Sequence, residues 1–145
     1  MKVVIQRVSR ATVTVQSETI GSIKEGLLVF FSVHAKDTEE MIPKMAEKIS
    51  NLRIFEDMEG KLNHSVIDTK GEILVVSQFT LYGDCSKGNR PSFIEAAAPE
   101  IAEQYYEKLI AYLVDKGIRV ATGKFRSYMR IELVNEGPTT IIIEI

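Results

Sequence analysis

Ile73-Leu74-Val75-Val76-Ser77-Gln78-Phe79-Thr80-Leu81, followed at once by Tyr82-Gly83-Asp84, is the stretch from which the rest of this chain can be read. Its β-branched and apolar residues lie between Lys70-Gly71 and Gly83-Asp84, and they predict a strand covered on both faces. Alternation puts Leu74, Val76, Gln78 and Thr80 on one face, and Ile73, Val75, Ser77, Phe79 and Leu81 on the other. Gln78 is the misfit. A buried amide left unpaired costs about 1–3 kcal/mol. Either it is a structural glutamine bonded to a neighbouring chain segment, or it stands at the strand's open end beside a ligand.

The chain around this stretch has 145 residues, enough for one domain over residues 1–145 that buries roughly 70% of its unfolded surface. No apolar run approaches the ~20 residues of a membrane-spanning helix. The sequence opens on a strand pattern, Met1–Ile5, rather than on a signal peptide, so a cytoplasmic location and no membrane partner are expected. Cys85 is the single cysteine, which excludes an internal disulfide and suits a reducing compartment. Two histidines and one cysteine are too few for a conventional zinc site, and no cofactor is expected. A net charge of −2 argues against a general nucleic-acid coat, which needs many phosphate contacts. It is compatible with a protein that grips only the end of an RNA.

Upstream, Lys2–Val8 and Ala11–Val15 read as two strands, Gly21 and Gly26 as turn punctuation, and Leu27–Val33 as a central strand. Asp37 and Glu40 form a capping-box pattern for a helix carrying Met41, Met45, Ile49 and Leu52. Arg53–Glu56 and Ser65–Ile67 read as short extended pieces. Downstream, Tyr82–Phe93 reads as a polar loop long enough to be functional. A second helix begins near Pro99, presents Ile101, Tyr105, Leu109, Tyr112 and Leu113, and stops at Lys116-Gly117. Ile118–Thr122, Ser127–Val134 and Thr139–Ile145 read as strands, the last two joined by a tight turn at Asn135–Pro138. The expected fold is a single α/β domain: a mixed, curled sheet in a three-layer β/β/α arrangement with two helices on one side. The isoleucines at 141, 142, 143 and 145 predict a last strand that is either central or pressed against a second subunit, and a homodimer is expected.

The usual nucleophile constellations fail on this sequence. Nothing places His34 or His64 next to Cys85, and no base is in evidence for Ser77 or Thr80. Glu39/Glu40 and Glu56/Asp57 read as helix start and solvated loop, and no phosphate-binding glycine motif occurs. An enzyme of this composition would act on a bond that needs little side-chain help. An ester activated by a neighbouring ammonium and a vicinal hydroxyl meets that condition. Positioning and main-chain N–H groups aimed at the developing oxyanion could then suffice.

Ser77-Gln78-Phe79-Thr80-Leu81 together with Asn135-Glu136-Gly137-Pro138-Thr139-Thr140 resembles the two signatures of the D-aminoacyl-tRNA deacylase family. Val3-Val4-Ile5-Gln6-Arg7-Val8 and Tyr82-Gly83-Asp84 resemble it too, so the likeness runs the length of the chain. One departure is visible, Thr139 where the family usually has valine. The resemblance implies a homodimeric hydrolase, with active sites at the subunit interface, that cleaves the ester between a D-amino acid and tRNA. It implies a cis Gly137-Pro138 peptide reaching into the other subunit's site, where main chain excludes an L side chain. Glycyl-tRNA, with no side chain to exclude, would also be cleaved. Gln78 and the Phe79 and Thr80 N–H groups would surround the ester carbonyl, with Ser77 holding the motif. Water assisted by the terminal ribose 2′-hydroxyl would attack, in preference to a covalent Thr80. Arg7 would anchor the Gly-Pro segment, and Phe125 and Met129 would line the pocket for the terminal adenosine. Lys87, Arg90, Lys124, Arg126 and Arg130 are candidates for phosphate contacts. The rival readings are a non-catalytic dimer that binds an RNA end or nucleotide through Tyr82–Phe93, and a Cys85-dependent hydrolase.

Overall fold

The computed structural model describes all residues, 1–145. Strand β1 (Lys2–Val15) is the spine of the sheet and runs unbroken where two strands were expected. Two different neighbours share one of its edges. Its first half, Lys2–Val8, pairs antiparallel with β3 (Gly26–Ser32), and Ala11–Val15 pairs with β2 (Glu18–Ile23), a strand the sequence reading took for a turn region. Strands β4 (Phe55–Glu56) and β5 (Leu62–His64) form a separate small ladder, whereas Ser65–Ile67, expected to be extended, lies in turns. Strand β6 (Glu72–Ser77) lies parallel to β3, and β7 (Val120–Thr122) parallel to β6. Strand β8 (Arg130–Glu144) covers the other edge of β1. The order β2-β1-β3-β6-β7 then bends round on itself. A Cβ at Gly21 of β2 would stand 2.6 Å from the Thr122 carbonyl oxygen of β7, so only glycine lets the two ends approach this closely. The result is a curled, nearly closed mixed sheet in one domain.

Helices α1 (Met41–Ser50) and α2 (Pro99–Asp115) pack on one side. Between them and the sheet lies the main core, with Val3, Ile5, Leu27, Val29, Ile73 and Val75 facing Met45, Ile49, Leu109 and Leu113. A second core fills the curl, built from Val8, Ala11, Val13, Leu28, Leu74 and Val76. Strand β6 is thus covered on both faces, with alternate residues in different cores, as its apolar run requires. Each of these Val, Ile, Leu and Met side chains contributes about 1.5–3 kcal/mol on burial. No helix is long and apolar enough to cross a membrane.

Three local expectations are corrected. Asp37 does not cap α1: Glu40 stands at the N-cap without a side-chain bond. The Asp37 carboxylate instead lies 2.7 Å from the Met1 ammonium and accepts the His34 N–H, so a contact with the chain start outcompetes the local cap. On α2 the buried face is Tyr106, Leu109 and Leu113, while Ile101 and Tyr112 are exposed. Finally, β8 is one strand from Arg130 to Glu144, because β1 pairs with residues on either side of the Gly-Pro segment. Since β8 pairs with β1 alone, it is an edge strand, and the central placement is not the one adopted. Ile142 on its outer face is exposed.

Candidate active site

Strand β6 stops at Ser77, earlier than its apolar run suggests. The Gln78 N–H donates to the Phe31 carbonyl at 2.8 Å, completing the ladder with β3. The next acceptor in that ladder, the Val33 carbonyl, is occupied by the Ala97 N–H at 2.9 Å. With no partner left, Phe79–Tyr82 coils into a 3-10 turn closed by the Leu81 N–H on the Gln78 carbonyl. The strand alternation expected for Gln78 to Leu81 therefore fails. Phe79 and Thr80 swing outward and are exposed, while Tyr82 returns to the interior. As the first residues of the turn, Phe79 and Thr80 have N–H groups without an acceptor inside it. Gln78 stands at the open end of the strand, and its amide nitrogen donates to the Thr80 hydroxyl.

A cavity of about 660 Å³ opens at this exit. Ser77, Gln78 and Phe79 form one wall, and Phe125, Met129 and Ile131 another. Phe93 meets Phe79 edge-on at 5.1 Å, and Ala96, Ala97, Pro99 and Ala102 supply a small-residue side. Phe125 is braced from below by Tyr106, whose ring lies 6.1 Å away and whose hydroxyl donates to the Val75 carbonyl at 2.9 Å. Burial pushes the Tyr106 phenol up to about 12. No Asp, Glu, His, Cys or Lys lines the cavity, and Thr80 is not part of its wall. Cys85 is exposed, and neither His34 nor His64 reaches the cavity. Such a cavity can hold a flat aromatic group between apolar walls and offer main-chain N–H groups at one end. It holds no side chain able to take a proton near neutral pH.

Gly137 and Pro138 are elsewhere. Along β1 the register runs from Val8↔Asn135 to Gln6↔Thr140, so residues 136–139 form an excursion opposite Arg7 alone. Asn135 pinches its base, its Nδ2 donating to the carbonyls of Arg7 and Thr139 at 2.9 Å each. The Arg7 guanidinium lies beneath. It donates to the Ile54 carbonyl at 2.7 Å and to the Glu136 carbonyl at 3.4 Å, and lies 3.6 Å from Glu56. Gly137 has φ +108°, the Gly137-Pro138 peptide is cis, and both residues are exposed. Arg7 and Gly137 line a second cleft of about 540 Å³ with Glu25, Glu56 and Glu136. Within one chain, then, Ser77, Gln78, Phe79, Phe125 and Met129 come together, and Arg7, Gly137 and Pro138 come together apart from them.

The motifs missed Phe93, Tyr128 and the alanine wall, and they contained Asn135 without showing that its side chain pinches the excursion. The Ala96-Ala97-Ala98 run before Pro99 was the available signal, since small residues ahead of a helix leave room for a ligand.

The sequence model of a family described as D-Tyr-tRNA(Tyr) deacylase matches residues 4–144. A D-aminoacyl-tRNA deacylase of Thermotoga petrophila is 56% identical over 144 residues, covering 99% of this chain and 97% of that protein. Its counterpart in Halalkalibacterium halodurans is 53% identical, covering 99% of each. Among solved structures, a c-Myc DNA unwinding element binding protein superposes with a TM-score of 0.92 at 44% identity, over 99% of this chain and 98% of that one. A structure described as a probable eukaryotic D-amino acid tRNA deacylase superposes at 0.88 with 18% identity and the same coverage, a likeness of fold alone.

Proposed function

Since this chain belongs to the D-Tyr-tRNA(Tyr) deacylase family, we propose that it is an aminoacyl-tRNA editing hydrolase that cleaves the ester of D-aminoacyl-tRNAs and of glycyl-tRNA. The observation that carries this reading is the cavity at the end of β6, which adjoins the 3-10 turn whose first N–H groups have no acceptor within it and has no titrating base in its wall. That combination suits an ester already activated by its α-ammonium and the vicinal ribose hydroxyl. The terminal adenosine lies between Phe125 and Met129, where base–aromatic stacking contributes about 1–3 kcal/mol. The Phe79 and Thr80 N–H groups face the ester carbonyl and stabilise the tetrahedral oxyanion. Gln78 orients the ester, Ser77 holds the strand exit, and the 2′-hydroxyl assists an attacking water. Thr80 has no base to activate it and stays uncharged throughout.

The chiral filter comes from a second copy of the chain. Gly137 and Pro138 are exposed, tied at the base by Asn135 and Arg7, and carried on the free edge strand β8. In the homodimer this segment enters the partner's cavity and fills the space an L side chain would need, while a D side chain or a hydrogen avoids it.

A time course with matched D-tyrosyl-, L-tyrosyl- and glycyl-tRNA tests the activity, with the D and glycyl esters cleaved and the L ester persisting. D-tyrosyl-tRNA bound but left intact would favour the RNA-end-binding rival. Mixing tests the shared site. In mixed dimers of Gln78→Ala and Gly137→Ala one site carries both lesions and the other none. Re-equilibrated mixtures should therefore recover about a quarter of wild-type activity, half the dimers each holding one intact site of two. No recovery would mean that each site is built within one chain.

A further inference from the structure

The Ser127-Tyr128 segment lines more than the main cavity. A third cleft, of about 430 Å³, adjoins that segment and shares Ser127 and Tyr128 with the main cavity. Its floor is the β1–β2 hairpin turn at Gln16 and Ser17, and its rim carries Lys124 and Arg130. Both cations are exposed, and neither forms an ion pair. No Asp or Glu lines either of these adjoining cavities, whereas the cleft beside Gly137 is lined by three glutamates and one arginine. In a chain with 20 acidic and 18 basic residues, two adjoining acid-free cavities with unpaired cations are a local departure from the average charge.

We propose that this cleft is a phosphodiester subsite, in which Lys124 and Arg130 hold the phosphate joining the terminal nucleoside to the nucleotide before it. The assignment rests on the reading of the main cavity as the seat of an RNA 3′ end. A nucleoside held between Phe125 and Met129 directs its 5′ oxygen out of that cavity, past the exposed Arg126 of the cavity's own wall and towards the neighbouring cleft, which adds two further cations to receive it. Two cations suit an anion that must be gripped without being read, since phosphate contacts position a strand and carry no sequence information. Tyr128, 85% exposed on the shared wall, offers its ring to the penultimate base by stacking.

The test is binding to full-length protein, followed by NMR shift titration with adenosine and with a dinucleoside monophosphate ending in a 3′ adenosine. The proteins are wild type, the Lys124→Ala/Arg130→Ala double variant, and the charge-preserving Lys124→Arg/Arg130→Lys variant. Wild type should bind the dinucleotide at least about tenfold more tightly than adenosine, with a salt slope close to the ~0.7 per phosphate of single strands. The alanine variant should bring the dinucleotide to the affinity of adenosine while leaving adenosine unchanged, and the charge-preserving variant should behave as wild type. Equal wild-type affinities would overturn the proposal. So would an alanine variant that keeps the dinucleotide, or one that loses adenosine in parallel. A wild type that passes these tests yet leaves D-tyrosyl-tRNA intact would sink the hydrolase reading and leave the subsite standing. Full kcat/KM on tRNA in the alanine variant would do the reverse.

Discussion

Substituting Gly137 by alanine is the perturbation whose cost can be worked most directly. The new methyl would stand 2.7 Å from Arg7 Nη2, 2.8 Å from Thr139 Oγ1 and 3.2 Å from the Thr139 amide nitrogen. All three distances are inside the ~3.5 Å at which non-bonded heavy atoms begin to repel. The backbone adds its own penalty, because φ is +108° and an L residue there costs about 1–3 kcal/mol. Arg7 is the neighbour that could yield. Its side chain is only 12% exposed, and moving it strains the 2.7 Å bond to the Ile54 carbonyl. A hydrogen bond to a charged group contributes roughly 1.5–3 kcal/mol, so even the low ends of the two terms together come to about 3 kcal/mol if the excursion keeps its shape. At about 2–4 °C per kcal/mol for a chain of this size, the melting temperature should fall by about 6–12 °C. Should the excursion reshape instead, that cost appears at the site. Cleavage of D-tyrosyl-tRNA would then fall by about a hundredfold, and the ratio of D to L cleavage would shrink. Thermal melts and D/L time courses on the same preparation measure both. A melt within a degree of wild type, together with unchanged rates on both esters, would refute the packing account of this segment.

Further outcomes follow from single residues. Gln78→Ala should lower kcat/KM at least tenfold, whereas Thr80→Ser and Thr80→Ala should keep most activity. A dead Thr80→Ala with an active Thr80→Ser would revive the covalent route. Cys85→Ala should cleave D-tyrosyl-tRNA at the wild-type rate, and abolished hydrolysis would instead make the thiol the nucleophile. Asp37→Asn leaves the Met1 ammonium with the Ile145 carbonyl at 2.8 Å but without its carboxylate, and loss of one partner of a buried pair costs up to about 3–5 kcal/mol. Urea denaturation should show this as a lower midpoint with an unchanged slope, and an unmoved midpoint would exclude the pair as a contributor. Tyr106 is held neutral in the fold by burial and so retains its proton to about pH 12, while the unfolded chain releases it near 10. Protons are then lost preferentially from the unfolded state, so stability falls as pH rises above 10, by up to about 1.4 kcal/mol per pH unit. Tyr106→Phe should show a shallower alkaline decline in the same melts, and parallel declines would contradict the assignment.

Much of the architecture was legible because burial leaves a mark on residue type. Ile73–Val76 read as a strand covered on both faces and Leu27–Val33 as a central strand, while their parallel pairing came from the structure. Pro99 and Gly117 marked the ends of α2 through backbone constraints that act locally. The motifs at Ser77–Leu81 and Asn135–Thr140 pointed to the family by resemblance, and the match over residues 4–144 establishes it.

What composition could not decide was anything set by competition between distant groups. Phe79, Thr80 and Leu81 have strand-like side chains, yet they coil because Ala97 has taken the carbonyl that would have continued the ladder. Asp37 looks like a helix cap, yet it turns to the ammonium at the start of the chain, a charge partner 36 positions away in sequence. The Gly137-Pro138 excursion needed the register of β1 against β8 to be seen as a detour within one strand rather than a turn between two. The division of the motif residues between two separate clefts likewise exists only in three dimensions. Local sequence sets what each segment prefers, but the curled sheet offers a limited number of acceptors and partners, and which segment reaches them first is settled by the whole chain at once.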